Sequence, residues 1–128
     1  TVATLKTTVA QVRHLKAGET ISYNRSGVLT RDSIIATVRI GYADGYSRRM
    51  GNGNGKMYVR GGIALTVGKI CMDMCMADVT DIPCREGDLA YLFDAEHPVS
   101  EVARDLGTIP YEVLTSIAPR VKRVHVHG

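Results

Sequence analysis

Apolar and polar positions alternate over much of this chain, and the alternation predicts strands. T-V-A-T-L-K-T-T-V-A-Q-V-R-H-L (1–15) is rich in Thr and Val, with Ala3, Leu5, Thr7 and Val9 on one side. It reads as a long strand bulged before Leu15. K-A-G-E is a turn, T-I-S-Y (20–23) a short strand, and N-R-S-G its end. S-I-I-A-T-V-R-I (33–40) places Ile34, Ala36, Val38 and Ile40 on one face. G-Y-A-D-G-Y breaks that strand, and M-G-N-G-N-G-K predicts a flexible loop. M-Y-V-R and I-A-L-T flank Gly61-Gly62, a hairpin signal. L-A-Y-L-F (89–93) reads as a buried strand, and V-K-R-V-H-V-H (121–127) as a closing one.

Helical signals come late. Ser100 is the predicted N-cap of a short helix running to Leu106, with Gly107 as its stop. Thr108 is the predicted cap of a second helix, with Pro110 in its first turn, running to about Ile117. Many short strands without regular strand–helix alternation predict an all-β class. The expected architecture is a Greek-key-like β-barrel with two short helices near the C-terminus, and a sandwich fits the pattern as well. No repeat or linker divides residues 1–128, so a single domain is expected.

Composition narrows the classes. The 128 residues are 45% apolar and 23% charged, with a formal charge of +3, values of an ordinary globular domain with a single core. No apolar run approaches the roughly 20 residues that cross a bilayer. No signal segment is visible, and no membrane partner is expected. The basic stretch near the C-terminus is too narrow to predict nucleic-acid binding. The chain opens at Thr1 and reads as an excised or processed piece. Three cysteines, an odd number, predict a reducing cytoplasm over a disulfide framework.

The stretch K-I-C-M-D-M-C-M-A-D-V-T (69–80) poses the sharpest chemical question. Cys71, Cys75 and Cys84 lack the paired spacing of structural zinc. On a strand, Cys71, Asp73, Cys75 and Ala77 would face one way and Met72, Met74 and Met76 the other. Both faces would then be apolar, which predicts a strand buried on both sides rather than a metal site. G-N-G-N-G-K-M fails the phosphate-loop template, because Met50 stands at its first glycine position and Met57 at its Ser/Thr position. His125 and His127 could share a strand face and chelate, but a polar strand end is the simpler reading. Six tyrosines against one Phe, several at turns, suggest phenols facing a cavity or partner.

Four pieces together resemble the C-terminal domain of alanine racemase. They are K-A-G-E-T-I-S-Y (16–23), I-G-Y-A-D-G-Y-S-R (40–48), V-G-K-I-C-M-D-M (67–74), and I-P-Y-E-V-L with P-R-V (109–114 and 119–121). The resemblance implies a pyridoxal 5′-phosphate (PLP) enzyme interconverting L- and D-alanine in the cytoplasm, with D-alanine destined for peptidoglycan. It implies a cofactor held mainly by an N-terminal (β/α)8 barrel, which this chain lacks. None of Lys6, Lys16, Lys56, Lys69 or Lys122 matches the cofactor lysine. It also implies a head-to-tail homodimer, in which this domain completes the partner subunit's site, and an isolated domain that is inactive.

Residue by residue, the resemblance implies Tyr23 as the base that accepts the α-proton of L-alanine. Met72 is implied to offer its backbone N–H to the substrate carboxylate, with Cys71 and Asp73 at the pocket rim. Tyr42 and Arg48 are implied to line the substrate entryway with Ile109, and Tyr111 to reach the cofactor phosphate. Asp44 reads as a turn former. Departures are Asn24-Arg25-Ser26, where the family often has Gly after the tyrosine, and Lys69, where it commonly has Arg. The alternative class is a non-catalytic β-barrel module that binds proteins through its tyrosines.

Overall fold

The computed structural model describes residues 3–19 and 29–124. Six antiparallel strands, β1 (Leu5–Leu15), β2 (Ser33–Val38), β3 (Lys56–Val59), β4 (Gly62–Val67), β5 (Cys75–Asp78) and β6 (Leu89–Phe93), close in the order β1-β2-β5-β4-β3-β6. β3, β4 and β5 are successive neighbours and β2 returns beside β5, which is a Greek key. Pairing of Leu5–Thr8 with Phe93–Leu89 closes the barrel. Two short helices follow, α1 (Val99–Leu106) and α2 (Pro110–Ser116). The expected all-β barrel with two late helices is the architecture found.

The alternation in the sequence maps onto the barrel wall. Ala36 and Val38 of β2, Met57 and Val59 of β3, Ala64 of β4, Cys75 and Ala77 of β5, and Ala90 and Leu92 of β6 fill one core. Ile35 points to the other face of β2 yet is also buried, in a second cluster with Leu29, Leu15, Val67 and Met76. Leu29 therefore packs on the outside of β2, β5 and β4. The β1 register shifts between Val9 and Gln11, earlier than the bulge expected before Leu15.

The hairpin turn lies one residue before its predicted place. Arg60 and Gly61 are its central residues, with φ of 47° and 78°, and Gly62 already pairs with Val59 in β4. Two positive φ values make the turn whose twist suits a hairpin. Arg60 tolerates this conformation while its guanidinium Nε and Nη2 donate to the Asp88 carboxylate at 2.8 and 3.0 Å.

Helix starts also differ from expectation. Pro98 and Ile109, not Ser100 and Thr108, occupy the N-cap positions, without side-chain caps. Proline sets both boundaries. Pro98 has its fixed φ of −69° with ψ of 157°, and Pro110 holds Ile109 extended at φ −108°, ψ 154°. Gly107 ends α1 in the left-handed region at φ 72°, as predicted.

Two further expectations fail. Gly51 to Gly55 is a pinned turn rather than a loose loop. The Asn52 N–H donates to Gly68 O (2.8 Å). Buried Thr66 accepts the Gly53 and Gly55 N–H groups on Oγ1 (both 3.2 Å) and donates to Met50 O (2.6 Å). Residues 121–124 form no strand. Arg123 instead donates to the carbonyls of Ile117, Ala118 and Val121, folding the chain back over the end of α2. The strand expected at 20–23 and the His125–His127 pair lie outside the described residues.

Candidate functional site

The helices close the barrel end at which β2 finishes and β5 begins. There Tyr46, Met50, Phe93, Ala103 and Val113 join the core. The candidate residues emerge at the same end, on two segments between strands. The first is the 3₁₀ turn Tyr42–Asp44, held by a reciprocal cap in which the Gly41 N–H donates to Asp44 Oδ2 (2.9 Å). Asp44 is a turn former, as expected. The second is the stretch before β5.

That stretch corrects an expectation. Only Cys75–Asp78 is strand, and Cys71 to Met74 form an exposed loop in which the Cys71 N–H donates to Met74 O (2.9 Å). Met72 is 53% exposed and Asp73 60%. Cys75, Ala77 and Val79 point into the core, so the buried reading holds from Cys75 onward and fails before it. Cys71 to Asp73 thus stand exposed just before β5.

Backbone hydrogen bonds join the two segments. The Tyr42 N–H donates to Cys71 O and the Ala43 N–H to Met72 O, both at 2.9 Å. Gly41 permits this approach, because a Cβ there would collide with the carbonyls of Cys71 and Met72. In a planar trans peptide the C=O and N–H point opposite ways. With the Cys71 carbonyl turned toward Tyr42, the Met72 N–H points away from the turn, and it finds no acceptor among the described residues.

Arg48, in the next 3₁₀ turn (Arg48–Met50), lies over the Tyr42 ring at 4.3 Å from its centroid. The two expected entryway residues therefore form one cation–π unit. Tyr42, Arg49, Thr108, Glu112 and Ser116 line a cleft of about 270 Å³ between these turns and α2. Ile109, the N-cap of α2, and Tyr111, in its first turn, are 61% and 73% exposed, and neither lines this cleft or the one of about 400 Å³. The larger cleft, about 400 Å³, lies on the outer barrel face between Leu29, Asn52 and Val67, and none of the described candidate residues lines it.

Tyr23 lies outside the described residues, as do Asn24, Arg25 and Ser26. The ends of that segment are described. Glu19 and Leu29 pair through Leu29 N–H to Glu19 O (3.1 Å), and Gly18 N–H donates to Leu29 O (2.8 Å). Leu29 packs with Val67 and Met76, which flank the segment bearing Met72.

Electrostatics separate structural groups from available ones. Burial pushes the Cys75 thiol up to about 12, leaving it neutral and inert. Burial also raises Tyr46, whose enclosed hydroxyl, beside Gly55, finds no partner among the described residues. Among the described residues no three His, Cys, Asp or Glu side chains gather as a metal cage, and no helix is long and apolar enough to cross a membrane. For Asp44, burial favours the neutral acid, but the Arg120 guanidinium and the Gly41 N–H outweigh it and hold the carboxyl below its ordinary value. Arg120 also bonds Asp73, making a three-membered bridge between the segments. P-R-V was legible as a motif, but the partners of its arginine were not.

The chain matches the family described as alanine racemase, C-terminal domain, over residues 2–125. It is 41% identical to alanine racemase 1 of Clostridium acetobutylicum, covering 98% of this chain and 33% of that protein. It is 45% identical to an alanine racemase of Deinococcus deserti, covering 98% of this chain and 36% of that one. It thus spans roughly a third of the curated relatives it matches. Among solved structures, the biosynthetic alanine racemase of Pseudomonas aeruginosa superposes with a TM-score of 0.90 at 37% identity, over 97% of this chain and 35% of that one. That of Bartonella henselae, with covalently bound pyridoxal phosphate, does so at 0.90 and 37%, over 96% and 34%. The barrel with its two late helices is that of a known module, and the chain belongs to the alanine racemase C-terminal domain family.

Proposed function

We propose that this domain is the C-terminal part of a PLP-dependent alanine racemase, and that it completes an active site whose cofactor is held on the barrel of a partner subunit. The observation that carries the reading is the family match over residues 2–125, on a fold in which the Tyr42 turn is hydrogen-bonded to the Cys71–Met74 loop and Arg48 lies over the Tyr42 ring. The enzyme would work in the cytoplasm and supply D-alanine for peptidoglycan.

Racemisation takes a proton from one face of Cα and returns one to the other, which two bases on opposite faces accomplish without turning the substrate. PLP, when bound, supplies the electron sink that makes the Cα–H acidic. Tyr23 takes the proton of L-alanine. A phenol ordinarily titrates near about 10, so positive charge or hydrogen bonds from the other body must favour its phenolate. The Met72 N–H, turned away from the Tyr42 turn, holds the substrate carboxylate, with Cys71 and Asp73 beside it. Tyr42 and Arg48 narrow the entry with Ile109, and Tyr111 reaches across to the cofactor phosphate. The exposed apolar side chains of Met72, Met74, Ile109 and Leu114 favour a surface covered by that second body.

The isolated chain supplied with PLP is expected to turn over no alanine, while the full-length protein racemises it. Alanine turnover by the isolated chain would overturn the division of the site between two bodies.

A further inference from the structure

Arg120 follows α2 across Pro119 and belongs to neither segment that carries the candidate residues. Its Nε donates to Asp44 Oδ1 and its Nη2 donates to Asp73 Oδ1, each at 2.6 Å. Asp44 already holds its own turn through Gly41, and its carbonyl accepts the Ala118 N–H (2.9 Å). One guanidinium therefore spans the Tyr42–Asp44 turn, the Cys71–Met74 loop and the chain leaving α2. The bridge lies alongside the bonds from Tyr42 N–H to Cys71 O and from Ala43 N–H to Met72 O.

Exposed ion pairs add little stability, and Arg120 and Asp73 are each about half exposed. Their contribution is direction, because a planar fork bonded to two carboxylates fixes both in space as a lysine cannot. The Met72 peptide is the group whose direction matters, since the Cys71 carbonyl and the Met72 N–H turn together. Pairing also offsets two negative charges beside an N–H meant for a carboxylate.

Resting on the racemase reading above, we infer that Arg120 is a positioning residue for substrate binding: by clamping Asp73 to Asp44 it holds the Met72 N–H toward the amino-acid carboxylate. It touches neither substrate nor cofactor. In the full-length enzyme, Arg120→Ala raises KM for L-alanine roughly five- to tenfold with kcat little changed, the signature of lost uniform binding. Arg120→Lys, which retains the charge but not the fork, falls between.

A second arm needs no catalysis. In the domain itself, Arg120→Lys speeds hydrogen exchange at the Tyr42 and Ala43 amides by roughly fivefold, while Ala36 and Ala77 in the barrel are unchanged. Unchanged exchange at Tyr42 and Ala43 would overturn the clamp whatever the enzyme does. An unchanged KM, or a loss confined to kcat, would overturn the positioning role. Failure of the racemase reading itself would show separately, as absence of alanine turnover by the unsubstituted full-length protein.

Discussion

Cys71, Cys75 and Cys84 look alike in the sequence and differ sharply in place. Cys71 is exposed, Cys84 half-buried with its thiol raised by burial, and Cys75 enclosed. Iodoacetamide at neutral pH is expected to label Cys71 first, Cys84 more slowly and Cys75 only after unfolding, as read by peptide mass spectrometry. Early labelling of Cys75 would contradict its place in the core. Asp44 carries a pH signature. Its folded pKa lies below the ordinary 3.8, so its contribution is complete above that value and disappears as pH falls through the folded one. The stability difference between the native domain and Asp44→Asn should therefore be level near neutrality and close below pH 3.8, measured by denaturation at several pH values. A gap that persists in acid would mean the carboxylate charge is not what holds the turn. Tyr42, Arg48 and Met72 were singled out as candidates because each sits inside a local motif. Arg120 was not, because its partners lie 76 and 47 residues away, and only the folded chain brings them together.

Among the elements, Thr66 of β4 holds more than its own strand. Its hydroxyl is the hub for Met50, Gly53 and Gly55, and so fixes the turn that follows Arg48. Thr66→Val keeps the shape and deletes the hub, leaving buried backbone groups unpaired. A loss of about 2–3 kcal/mol in chemical denaturation is expected, and a loss within measurement error would contradict the hub. Strands with clean alternation and firm turn punctuation, such as β2, β6 and the β3–β4 hairpin, were readable to within a residue or two. The stretch from Lys69 to Met74 was not. Methionine and cysteine serve equally in a core or on a surface that a partner covers, so their spacing carries no sign of exposure. The helix starts were misplaced for a definite reason: hydroxyl caps were sought where prolines had already set the boundary.

For the whole molecule, the barrel is self-sufficient while the candidate site is open. Its core is filled from all six strands, yet Met72, Asp73, Ile109 and Tyr111 face outward at the end closed by the helices. The sequence makes the fold class and the family legible, because both depend on patterns within this chain. It could not show how the rim residues meet the remaining two thirds of the relatives' length. The central claim is that Tyr23 carries the proton on the L face. Its most direct test is deuterium entry at Cα in D2O, followed separately for L- and D-alanine with full-length Tyr23→Phe. The account predicts that entry into L-alanine falls by about 10²- to 10⁴-fold while entry into D-alanine continues; entry into L-alanine at the unsubstituted enzyme's rate would contradict it.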